Sequence, residues 1–108
     1  MMTEIRHINE DEFEEVISKN KVVLLDFFAT WCPPCRMLTP ELEKLKEMVG
    51  DKVEIVTINT DENENISRKF RIMSIPALMV FLDGEEVEKT VGYRDADRLL
   101  ELVKKYID

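Results

Sequence analysis

Seven consecutive residues, Val22-Val-Leu-Leu-Asp-Phe-Phe28, restrict this chain more than any other stretch of it. The run is apolar, rich in β-branched and aromatic residues and without polar alternation, which is the pattern of a strand buried on both faces. Such a strand needs other elements packed above and below it. Its one charge, Asp26, is an anomaly, because an isolated carboxylate is costly to bury and burial pushes its pKa upward.

The neighbouring elements follow from local signals. Asn9 is an N-cap with Glu12 at the capping-box position, opening a helix whose Phe13, Val16 and Ile17 share a face. Glu4 to Ile8 before it alternates weakly, as an edge strand does. Beyond a pair of cysteines, Leu38, Leu42, Leu45 and Val49 recur at helical spacing until Gly50 stops the helix, and Pro40 within it predicts a kink. Val53 to Ile58 is a second buried strand, followed by the polar loop Asn59 to Asn65 and a short helix around Ile66 to Phe70. Ala77 to Leu82 and Glu86 to Val91 form a hairpin about Asp83-Gly84. Asp95 caps a last helix with Leu99, Leu102, Val103 and Tyr106 facing inward. The order β-α-β-α-β-α-β-β-α predicts one α/β domain over residues 1–108, a central mixed sheet with helices on both faces.

Composition narrows the function. At 108 residues, with 44% hydrophobic and 35% charged, the chain is long enough for a conventional core without staples. A formal charge of −8 with scattered Lys and Arg excludes a nucleic-acid surface, which needs clustered cations. No apolar run approaches the roughly 20 residues of a membrane span. The acidic start, MMTEIRHINEDEFEEV, has no apolar h-region, so a cytoplasmic location is expected. In a reducing cytosol, two closely spaced cysteines point to catalysis or metal binding rather than to a structural bridge.

Those two cysteines, Cys32 and Cys35, are the only ones in the chain and lie in FFATWCPPCR with its only tryptophan, Trp31. Cys32 follows the buried strand, and Cys35 falls in the first turn of the next helix, which is predicted to begin at Pro34 or just after. A helix N-terminus favours anions, so a Cys32 thiolate there is stabilised and becomes the stronger nucleophile. Spacing alone leaves three readings open: a disulfide, half a metal site, and chance; a disulfide that merely staples the helix start is the structural form of the first. Structural zinc wants four Cys or His ligands, and only the distant His7 is added to the two cysteines. A four-residue loop gives a staple little entropic effect.

The whole chain resembles the thioredoxin family. The resemblance is carried by VVLLDFFATWCPPCR, by MLTPELEKL, by IPALMVF at Ile75 to Phe81, by DGE at Asp83 to Glu85 and by VGY at Val91 to Tyr93. It implies a thioredoxin fold of about five strands and about four helices, and a protein-disulfide reductase with no bound cofactor. Cys32 is then the nucleophile, Cys35 the resolving thiol, and Asp26 the proton relay for Cys35. Pro76 is implied to be a cis-proline opposite the cysteines, so that Trp31, Pro34, Ile75, Pro76 and Gly92 make an apolar surface for target proteins. The partners implied are disulfide-containing proteins and a thioredoxin reductase, an NADPH-dependent flavoprotein, with the chain itself a monomer.

The sequence also departs from that family. Pro33 and Ser74 stand where many members have Gly, Thr57 where many have Lys, and Tyr93 is bulkier than the residue common beside Gly92. Pro33 is therefore expected to tune the redox potential, and the loss of the Lys to leave Asp26 less ionised. Glutaredoxins also carry Pro after the first cysteine, but Trp31, Pro34 and Asp26 favour the first family. Met37, Met73 and Met79 read as packing residues, and His7 as a solvated side chain.

Overall fold

In the computed structural model, which describes residues 4–107, the run Val22–Phe28 is the central strand β2 of a five-stranded sheet. The other strands are β1 (Arg6–His7), β3 (Glu54–Asn59), β4 (Ala77–Leu82) and β5 (Glu85–Val91). The helices are α1 (Phe13–Lys19), α2 (Pro33–Val49), α3 (Glu64–Lys69) and α4 (Ala96–Val103). The sheet order is β1-β3-β2-β4-β5. The first three of these run parallel, β4 is antiparallel to β2, and β5 returns antiparallel to β4.

Alternation along β2 divides the core into two layers. Val23, Leu25 and Phe27 join Phe13, Val16 and Ile66 on the face covered by α1 and α3. There the rings of Phe13, Phe70 and Phe81 meet edge to face with centroids 5.3 to 5.7 Å apart. Val22 and Leu24 join Leu38, Leu42, Leu45 and Leu99 on the face covered by α2 and α4. β2 therefore carries apolar side chains on both sides, and Asp26 falls in the α2 layer.

Most element ends carry the signals read from the sequence. The Asn9 amide donates to the Glu12 carboxylate at 2.9 Å, opening a 3-10 turn that leads into α1. Asp95 Oδ1 accepts from the Arg98 amide at 3.0 Å at the start of α4. Gly50 ends α2 with φ at +56°, and the β4-β5 turn holds Asp83 at +51° and Gly84 at +85°. Gly84 suits that left-handed region because it has no β-carbon, and Asp83 because its short polar side chain makes Asp one of the few other residues that tolerate it.

Three local expectations are corrected. α2 begins at Pro33, one residue earlier than expected, with Cys32 as its N-cap. The locked φ of proline fits a first turn, where neither Pro33 nor Pro34 gives up a needed amide bond, and this outweighs the bias that Pro34 imposes on its predecessor. Met79 is fully buried, but Met37 and Met73 are 59% and 91% exposed, so only the first is a packing residue. His7 is exposed yet not simply solvated: its Nδ1 is hydrogen-bonded to the Thr57 hydroxyl and its ring lies 5.5 Å from that of Phe28.

Candidate active site

The junction of β2 and α2 builds the site. Residues Ala29 to Thr30 turn the chain out of the sheet, and the Cys32 amide donates back to the Ala29 carbonyl at 3.3 Å. Cys32 then adopts an extended conformation as N-cap, and its carbonyl accepts from the Arg36 amide at 3.2 Å. The Cys35 amide donates to Cys32 Sγ at 3.3 Å. Sulfur here occupies the place that a Ser or Asp oxygen takes at an ordinary N-cap, which is where an anion is most stabilised by unpaired amides and the helix dipole. The first turn of α2 contains no acidic residue to oppose it.

Cys32 and Cys35 are joined as a disulfide, their Cα atoms 5.3 Å apart. Both are buried at 3% exposure. Pro33 and Pro34 between them are exposed. Cys35 also borders a pocket of 180 Å³ lined by Phe28, Ala29, Thr30, Arg36 and Thr39.

Asp26 is 2% exposed, and its Oδ1 has no hydrogen-bond partner. Burial pushes its pKa up from 3.8 to about 7. No donor to Oδ1 offsets that burial, which favours the neutral carboxyl.

The loop before β4 comes over the cysteines. Ile75-Pro76 is a cis peptide bond, and Cys32 Sγ lies 3.9 Å from the Ile75 carbonyl oxygen. The Gly92 amide, at the end of β5, donates to the Pro76 carbonyl at 2.7 Å, with Gly92 at φ +101°. Trp31 is 65% exposed, and its indole N–H donates to Asp61 Oδ2 at 2.8 Å. Trp31, Pro34, Ile75, Pro76 and Gly92 thus come from three separate stretches of chain. Pro76 is buried, Ile75 and Gly92 are half-buried, and Trp31 and Pro34 are exposed.

Sequence reasoning missed Asp61, His7 and the exposed Met73. Asp61 lies in a polar loop that reads as solvated, and nothing local to it indicates an indole partner thirty residues away. Met73 carries no sequence signal that separates it from the buried Met79. Among the described residues no group of three or more His, Cys, Asp and Glu side chains is arranged to hold a metal ion, and no helix is long and apolar enough to cross a membrane.

Comparison with known proteins gives the same answer as the geometry. The family model Thioredoxin matches residues 4–105. The thioredoxin of Bacillus subtilis is 50% identical over 86 residues, covering 80% of this chain and 83% of that protein. The thioredoxin of Listeria monocytogenes is 43% identical over 103 residues, covering 95% and 99%. Among solved structures, a mutant thioredoxin from Halobacterium salinarum superposes with a TM-score of 0.90 at 37% identity, covering 98% of this chain and 93% of that one. With a vicinal cysteine pair capping a helix beside a central strand, and relatives of this identity along nearly its whole length, the chain belongs to the thioredoxin family, a protein-disulfide oxidoreductase that works through a Cys32–Cys35 dithiol and disulfide.

Proposed function

We propose that this protein reduces disulfides of target proteins, with Cys32 as nucleophile, Cys35 as resolving thiol and Asp26 as proton acceptor. The Cys32 thiolate attacks a target disulfide, forming a mixed disulfide and releasing one target sulfur as thiolate. Asp26 takes the Cys35 proton, and the Cys35 thiolate attacks Cys32 Sγ, breaking the mixed disulfide and releasing the second target sulfur. Two electrons pass from the dithiol to the target, whose thiolates take up the two protons. The reading is carried by one observation, a cysteine sulfur serving as the N-cap of α2 within a disulfide, with an unpartnered buried carboxyl on the preceding strand.

Targets dock on the surface of Trp31, Pro34, Ile75, Pro76 and Gly92. The exposed indole and half-buried Ile75 suit apolar contact, and the Ile75 backbone beside the sulfur suits pairing with an extended segment. Pro33 tunes the potential by stiffening the turn between the sulfurs. A thioredoxin reductase, an NADPH-dependent flavoprotein, restores the dithiol, and the protein acts in the cytoplasm as a single-domain monomer.

Reduction of insulin disulfides tests the roles. Cys32→Ser abolishes turnover, and Cys35→Ser accumulates a mixed disulfide with the target. Full activity without Cys32 overturns the mechanism. Turnover driven by NADPH and a thioredoxin reductase, and not by glutathione alone, identifies the reductant class.

A further inference from the structure

His7, Thr57 and Asp26 occupy one row across the sheet. β1 and β3 set His7 against Thr57, and β3 and β2 set Thr57 against Asp26. All three side chains therefore leave the sheet on the face where Leu24 and Ile55 meet α2. Thr57 is 4% exposed, and its hydroxyl is hydrogen-bonded to His7 Nδ1. Asp26, one strand further in, is left with Oδ1 unpartnered. Neighbouring strands lie about 4.8 Å apart, so a Thr side chain in register with a carboxylate can bring its hydroxyl toward it by changing rotamer about Cα–Cβ. Here it is engaged on the opposite side.

The imidazole is held in place. Phe28 lies against it, and it lines a cleft of 350 Å³ with Glu4, Ile5, Thr39, Leu42 and Glu43. Thr39 also lines the Cys35 pocket, so the two cavities share a wall. Glu4 before β1 and Glu43 on α2 are the charged groups that line this cleft with His7. Arg6 turns to the other face, toward Glu12 and Glu54. Asp26 meets Thr57 on β3 and Leu78 on β4, and burial rather than a charged neighbour governs its ionisation.

We propose that His7 is a positioning residue that sets the acidity of Asp26 by holding the Thr57 hydroxyl away from it. With its proton on Nε2, the imidazole accepts the Thr57 hydrogen at Nδ1, and Asp26 receives none. The consequence for turnover rests on the reading of Asp26 as proton acceptor; the control of its acidity does not.

The test is a carbon-13 titration of the Asp26 carboxyl in the disulfide form, where no thiol titrates. His7→Ala lowers the Asp26 midpoint by about one pH unit, the scale of one hydrogen bond to a carboxylate. Thr57→Val leaves the midpoint at the wild-type value, and the double variant His7→Ala/Thr57→Val returns it there. His7→Asn, whose amide reaches the place of Nδ1, keeps the wild-type midpoint. An unmoved midpoint in His7→Ala, or an equal shift with Thr57→Val present, overturns the proposal. A shifted midpoint with an unchanged pH profile of insulin reduction supports the positioning role and refutes Asp26 as proton acceptor.

Discussion

Replacing Asp26 with alanine stabilises the protein at alkaline pH and not at acid pH. The carboxyl is 2% exposed, and its pKa stands at about 7 in the folded protein against an ordinary value of 3.8. Between those values the folded state binds a proton that the unfolded state has released, so stability falls as pH rises. The favourable contribution is complete below about pH 3.8 and is lost as pH passes through about 7. A gap of about three pH units, at 1.36 kcal/mol for each, makes the loss about 4 kcal/mol at pH 8 and less than about 1 kcal/mol at pH 4. Alanine removes this burden and leaves a small cavity costing about 1 kcal/mol. Asp26→Ala is therefore more stable than wild type by about 3 kcal/mol at pH 8 and no more stable at pH 4. Urea denaturation of the disulfide form, at intervals from pH 4 to pH 8, measures the difference directly. A difference that does not change with pH, or a variant destabilised at pH 8, refutes the argument that burial raises the pKa of this carboxyl.

Three further outcomes follow from particular contacts. Leu42→Ala, at a site with no exposure in the α2 layer, costs about 3 kcal/mol in urea denaturation, equally with the cysteines oxidised or reduced. Asp95→Ala removes the bond to the Arg98 amide at the start of α4 and costs about 1 kcal/mol, while Asp95→Ser recovers most of it. On the proposal that the exposed indole is a docking group, Trp31→Ala raises KM for insulin about tenfold, or about 1.4 kcal/mol. The same variant reduces a small aromatic disulfide at the wild-type rate, and equal losses on both substrates count against docking.

Legibility in the sequence tracked the range of the interaction responsible. β2 was readable residue for residue because seven apolar positions in a row have one stable solution, burial on both faces. The β4-β5 hairpin and the caps at Asn9 and Asp95 were readable because their chemistry closes within a few residues. The start of α2 was off by one residue because two successive prolines impose opposing local biases, and only the folded junction decides between them. The exposure of Met37 and Met73 and the engagement of His7 were not readable at all. A methionine has the same composition in a core and on a surface, and an edge-strand histidine finds a partner only when β3 comes alongside it.

The kinds of element, their order and the chemistry at the head of α2 follow from neighbouring residues along the chain: a thiol pair at the spacing of a disulfide, placed where a helix favours an anion. Tertiary structure alone decided that β3 lies between β1 and β2, bringing Thr57 against Asp26 and His7 against Thr57. It also brought Ile75 to Cys32 and Asp61 to Trp31. The reason is physical. A residue's own identity and near neighbours set its local conformation, but the state of Asp26 depends on which donors are denied to it, and those arrive from strands whose order is chosen by packing the whole core.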